Sequence, residues 1–198
     1  FAHCFTCSKD ITAARRISAR LTTMGFAVLR FDFTGLGHSK GESENTNFTS
    51  NVADLYAAVA ALTAHDMAPS MLIGHSLGGA AVLKAAANLD QIKAVVTLGA
   101  PADPSHVVHN FGTSLDEIEV NGKAEVTLAG HPFTISHDFV QDFAATELEG
   151  CLAKLKVALL VLHSPIDQTV GIENASQIFV AAKHPKSYVA LHDPHHLL

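Results

Sequence analysis

The chain has 198 residues, 48% of them hydrophobic and only 16% charged, with a formal net charge of −6. These values describe one compact domain with a sizeable core and exclude a disordered chain. The longest basic run is the pair Arg15 and Arg16, so nothing marks a nucleic acid or an anionic membrane as partner, and no apolar stretch approaches the roughly 20 residues needed to span a bilayer. Three cysteines fit a reduced, cytoplasmic protein better than a secreted one built on disulfides. The chain starts without an initiator methionine and inside what reads as a strand, so it is expected to be a fragment whose first strands precede Phe1.

In chain order, apolar runs alternate with amphipathic segments. Phe1 to His3 ends a strand. Ile11, Ala14, Ile17, Leu21 and Met24 recur at spacings of three and four, and Gly25 stands where a helix C-cap sits, which predicts a helix from about Asp10 to Met24. FAVLRFDF, Phe26 to Phe33, reads as a strand, and Val52, Leu55, Tyr56, Val59 and Leu62 mark a second helix. SMLIG (Ser70 to Gly74) is a strand, LGGAAVLKAAANL (Leu77 to Leu89) a helix and IKAVVTLGA (Ile92 to Ala100) a strand. KVALLVLHS (Lys156 to Ser164), a helix from about Ile172 to Lys183 and SYVALHD (Ser187 to Asp193) complete the series. Strands this apolar, separated by helices, build a doubly wound, mostly parallel α/β sheet covered on both faces.

Pro101 to Gly150 breaks that rhythm with about fifty residues where a crossover needs far fewer. Asn121-Gly122 lies between alternating runs and predicts a tight hairpin turn, and HDFVQDFAATEL predicts a short helix. An excursion at the carboxyl end of a strand overlies the edge where open α/β sheets bind ligands. It is expected to be a cap within a single domain over residues 1–198.

The chemistry concentrates at Gly74-His75-Ser76-Leu77-Gly78, a GxSxG match between a predicted strand and a predicted helix. Side chains at the glycine positions would collide with neighbouring backbone in so sharp a turn. The turn lifts the Ser76 hydroxyl clear of the sheet and sets it at a helix amino end, where unpaired N–H groups meet developing negative charge.

With these motifs the whole chain, Phe1 to Leu198, resembles the α/β-hydrolase superfamily, in which the nucleophile is followed by an acid and then a histidine after later strands. The resemblance implies a serine hydrolase that needs no cofactor, with Ser76 as nucleophile, Asp167 of HSPIDQTVG as acid and His196 of HDPHHLL as base. His195 is the alternative base and Asp193 the competing acid. The family's oxyanion donors imply the backbone N–H of Leu77 and, from the loop His3-Cys4-Phe5-Thr6-Cys7, that of Phe5, with Cys4 where glycine is usual. FDFTGLGHS, Phe31 to Ser39, resembles the family's DxxGxGxS turn, with Thr34 where arginine is common and Asp32 a backbone organiser.

A narrower resemblance, carried by HCFTCSKD and the ending GIENASQIFVAAKHPKSYVALHDPHHLL, is to the α/β-hydrolase domain fused to an OsmC-like thiol peroxidase domain. It implies a bacterial, cytoplasmic protein in which a last helix and a second domain follow Leu198. The activity expected is that of a carboxylesterase on a small or medium acyl ester. Thioester or peptide hydrolysis and a non-catalytic module that binds a small molecule or docks a partner domain remain open, as does the oligomeric state. Cys4 and Cys7 fit buried packing, a redox switch or half of a metal site. His3, His106, His109, His131 and His137 show no convincing metal-ligand spacing.

Overall fold

The computed structural model describes residues 1–42, 46–105, 108, 111–128, 131–192 and 196. Its elements in chain order are α1 (Thr12–Thr23), α2 (Phe48–Ala64), β1 (Met71–His75), α3 (Leu77–Ala86) and β2 (Ala94–Leu98), then α4 (Ser114–Asn121), β3 (Lys123–Leu128), β4 (His131–Ser136), α5 (His137–Ala144) and α6 (Glu149–Lys154), and last β5 (Ala158–His163), α7 (Glu173–Ala181) and β6 (Lys186–Ala190).

Four strands form a parallel sheet in the order β1-β2-β5-β6. The inner strands are rich in Val, Ile and Leu, which suit a pleated surface covered on both faces. Val95, Leu98, Leu159 and Val161 are buried there. Helix α3 packs on β1, β2 and α2, and its alanines and glycines let it approach so closely that Ala80, Val82, Leu83 and Ala85 are fully buried. Helix α2 starts at a capping box, in which Asn47 Oδ1 accepts from Ser50 N at 2.8 Å and Ser50 Oγ accepts from Asn47 N at 2.8 Å.

Two expectations need correction. Phe26–Phe33 forms no ladder. Of the facing residues Phe1–His3, Ala2 gives both its N–H and its carbonyl to β1, through Ala2 N to Ile73 O and His75 N to Ala2 O. The Phe1 amine reaches across to Leu29 O at 2.7 Å, and Phe33 N donates to the ring of His3 at Nε2, 3.2 Å away, rather than to a backbone carbonyl. The predicted strand end at Phe1–His3 is correspondingly reduced to one bridge, Ala2 with Gly74.

The second correction concerns Asn121-Gly122, which is not a hairpin turn. Residues 114–121 are helical, with Leu115 and Ile118 three apart on the packed side, and Gly122 ends the helix at φ +77 while its N–H donates to Ile118 O at 2.9 Å. Asn-Gly serves a left-handed helix cap as readily as a hairpin. The hairpin lies further on, β3 pairing antiparallel with β4 up to Leu128 opposite His131; its tip falls outside the described residues.

Helix α5 appears where it is expected and anchors the excursion. Phe139 stacks on Phe143 with ring centroids 4.2 Å apart, Phe143 meets Phe48 of α2 at 5.7 Å, and Phe139 meets Phe111 at 5.9 Å. Asp142 accepts from Thr49 N at 2.9 Å and from Thr49 Oγ1, at the positive end of the α2 dipole.

Candidate active site

Ser76 joins β1 directly to α3 with φ 52 and ψ −124, a conformation costly for a residue with a side chain. The turn is held because its neighbours leave no alternative. A Cβ on Gly74 would lie 2.7 Å from Gly79 Cα, and one on Gly78 would run into the backbone of Ala2 and His3. Ser76 N donates to Leu98 O at 2.8 Å, tying the elbow to β2.

Three strand ends converge on this point. Ser76 follows β1, Asp167 follows β5 and His196 follows β6. His196 Nδ1 lies 2.7 Å from Asp167 Oδ2, and His196 Nε2 lies 2.8 Å from Ser76 Oγ. A carboxylate accepts only, so Nδ1 carries the proton and donates to Asp167, which leaves the Nε2 lone pair for the serine hydroxyl. Asp167 Oδ1 is occupied separately, accepting from Thr169 N at 2.9 Å and Val170 N at 3.0 Å. Burial pushes the Asp167 carboxyl up, but the hydrogen bond from His196 and those from Val170 and Thr169 outweigh it and hold the group below its ordinary value.

Gly99, at the end of β2, has φ +55, and a Cβ there would stand 3.3 Å from Asp167 Oδ2 and 3.5 Å from His196 Nδ1. The acid and the imidazole therefore meet over a position where only hydrogen fits without crowding.

Phe5 and Thr6 form a turn closed by Cys7 N donating to Cys4 O at 3.1 Å. His3 Nδ1 also donates to Cys4 O, at 2.7 Å. Because a trans peptide sets its N–H opposite its C=O, fixing the Cys4 carbonyl also fixes the Phe5 N–H. Neither that N–H nor the Leu77 N–H at the start of α3 meets an acceptor among the described residues. Cys4 and Cys7 are joined in a disulfide, with Cα atoms 5.2 Å apart, within the span such bonds need. Joined in this way, neither sulfur is a thiolate ligand for a metal. Cys4 is buried.

Asp32 accepts from Lys9 N at 2.6 Å, Lys9 Nζ at 2.7 Å and His38 N at 3.0 Å, while Ser39 Oγ donates to its carbonyl at 2.6 Å. Burial opposes ionisation, yet these donors hold its carboxyl far below the ordinary carboxylate range. Thr34, through N at 2.8 Å and Oγ1 at 2.9 Å, donates to Asp54 and pins the same turn to α2.

The serine aminopeptidase S33 family matches residues 9–126, more than half of the chain. The chain belongs to this family. Among solved structures, the esterase domain of a Rhodothermus marinus protein is 49% identical, covering 100% of this chain and 77% of that one with a TM-score of 0.77. Est1E of Butyrivibrio proteoclasticus with ferulic acid bound has a TM-score of 0.87 at 22% identity, covering 99% and 79%, and shows the α/β-hydrolase fold. The mitochondrial palmitoyl-protein thioesterase ABHD10 of Homo sapiens is 30% identical over 60% of this chain and 36% of its own length. The chain thus spans about a third of that curated relative.

The expected donors, nucleophile, acid and base of this S33-family chain gather at one sheet edge. Asp193, His195, His106 and His109 lie outside the described residues. His3 and His137 take hydrogen-bonding roles, His137 Nε2 lying 3.4 Å from Gln141 Nε2, and among the described residues no cluster of three or more His, Cys, Asp or Glu is placed to hold a metal ion. The sequence reading overlooked Gly99, His75 and His163. The two histidines end β1 and β5 and are buried; His163 Nε2 donates to Val170 O at 2.8 Å beside the acid. A histidine closing an apolar strand was the available signal, but its partner is far away in sequence or lies in an irregular loop. No helix among the described residues is long and apolar enough to cross a membrane.

Proposed function

We propose that the chain is a serine hydrolase acting on carboxylic esters of small or medium acyl groups. The observation that carries this reading is the unbroken chain from Ser76 Oγ through His196 to Asp167, with contacts of 2.8 and 2.7 Å, at a serine held with φ 52. Ser76 Oγ attacks the ester carbonyl carbon as His196 Nε2 takes its proton. Asp167 keeps the Nδ1 proton in place and stabilises the imidazolium. The carbonyl oxygen, now an alkoxide, is met by the N–H groups of Phe5 and Leu77. Collapse expels the alcohol, which receives the proton from His196, and water activated by the same imidazole then releases the acid. The excursion after β2 acts as the cap that selects the acyl chain. The substrate is a small molecule, and the resemblance to OsmC-fused domains makes a thiol peroxidase module on the same polypeptide part of the proposal.

The likeness to a protein named as a palmitoyl-protein thioesterase favours thioesters as a second reading. The test is a matched panel of p-nitrophenyl esters, acyl thioesters and amino-acid p-nitroanilides, with Ser76→Ala as control. Ester turnover that is greatest for short and medium chains, and lost in the variant, is expected. Preference for thioesters selects the second reading, and turnover of the anilides alone contradicts both.

A further inference from the structure

His75 is the residue before the serine, yet its side chain does not face the substrate side of the elbow. It is fully buried at the last position of β1, and its Nε2 lies 2.6 Å from the backbone carbonyl oxygen of His196. A carbonyl can only accept, so Nε2 carries a proton. Nδ1 has no partner among the described residues, so no hydrogen bond rewards a second proton there, and the ring is the neutral Nε2–H tautomer. The His75 and His196 rings are tilted by 38° with centroids 5.2 Å apart, which places a cation at His75 against the imidazolium formed at His196 during turnover. The ionisable groups whose charge His75 feels are His196, Asp167 and His3. Burial opposes a charge there, which agrees with the tautomer.

We propose that His75 is a positioning residue. It fixes the main chain of His196, so that Nδ1 on Asp167, Nε2 on Ser76 and the carbonyl on His75 anchor that residue at three atoms. Without the third anchor the imidazole is held only through its own side chain, and the Nε2 contact with Ser76 Oγ loosens while the acyl pocket is untouched. His75→Phe keeps the ring volume and removes the donor. His75→Gln restores a donor at about the reach of Nε2, because its amide nitrogen lies at the corresponding distance from the backbone.

This inference rests on the hydrolase reading for its kinetic arm only. The experiment measures kcat, KM and the rate of fluorophosphonate labelling for the parent, His75→Phe and His75→Gln. In parallel, ring-nitrogen NMR on histidine-labelled parent and on Ser76→Ala, neither of which needs to turn over substrate, reads the tautomer of His75 at neutral pH. Expected are a kcat and labelling rate lowered about 100-fold in His75→Phe with KM within about twofold of the parent, recovery to within about fivefold in His75→Gln, and a neutral Nε2–H ring with a slowly exchanging proton. Equal loss in the two variants at unchanged melting temperature would overturn the proposal, as would parent-like kinetics in His75→Phe. An Nδ1–H or doubly protonated ring would overturn it even if neither variant folds. An inactive, unlabelled parent removes the hydrolase reading and leaves the NMR result to decide whether His75 anchors His196.

Discussion

At the strand ends, Ser76, Asp167 and His196 are held by directional hydrogen bonds and by glycines whose missing side chains leave room for backbone or carboxylate. The excursion between Pro101 and Gly150 leans instead on apolar rings. Phe5, whose N–H is the proposed oxyanion donor, meets Phe139 at 5.1 Å and Phe133 at 5.8 Å, and Phe139 and Phe143 carry the packing inward to α2. Hydrogen bonds weaken steeply with angle and distance, whereas apolar contacts depend mainly on area and volume. The first region therefore tolerates almost no change and the second a good deal. The two meet at Phe5, whose backbone belongs to the first and whose ring belongs to the second.

The sharpest way to break this contrast is Asp167→Asn. The side-chain oxygen can keep Thr169 N and Val170 N, but the amide then presents N–H groups to His196 Nδ1, which selects the wrong tautomer. A fall in kcat of about 10⁴-fold with unchanged secondary structure is expected, measured by steady-state hydrolysis and circular dichroism.

Acid titration of stability probes the buried histidines. Burial lowers His75 to about 4 and lowers His3 as well. The unfolded chain takes up its histidine protons near about pH 6.5, so between there and about pH 4 it binds more protons than the folded chain. Stability falls as the pH drops through that window, by up to about 3 kcal/mol for His75. Asp32 and Asp167, whose folded values are lowered, extend the loss below about pH 4. Urea unfolding across this range measures the slope, and His75→Gln flattens its upper part.

Gly99→Ala comes next. Its Cβ would stand 3.3 Å from Asp167 Oδ2 at φ +55, so about 1 to 2 kcal/mol of stability and about 10- to 100-fold in kcat should be lost, read by denaturation and kinetics. Phe133→Ala sharpens the other side of the comparison. It opens space beside the Phe5 ring and should shift the preference across an ester chain-length series by about tenfold while leaving the kcat for the shortest ester near the parent value.

The parallel strands, the elbow and the chain order of Ser76, Asp167 and His196 were legible because each depends on residues close in sequence: an apolar run, a GxSxG turn, a polar loop after a strand. Phe26–Phe33 was misread because a strand is defined by a ladder of backbone bonds, and across from it the Phe1 amine meets Leu29 O while Phe33 N is given to the His3 ring instead of a backbone carbonyl. Asn121-Gly122 was misread because glycine at positive φ serves a helix end and a hairpin alike. Gly99, His75 and His163 carried too little local signal to be singled out, since their meaning lies in what the fold brings to them: Asp167 to Gly99, the His196 carbonyl to His75 and the Val170 carbonyl to His163.

The central claim is that Ser76 is a nucleophile activated through His196. Treating the parent with a fluorophosphonate probe, then recording intact mass and mapping the labelled peptide, tests it most directly. A single adduct on Ser76, absent in Ser76→Ala and strongly slowed in His196→Ala, is the result expected. An adduct on another residue, or a folded parent that stays unlabelled, would contradict it.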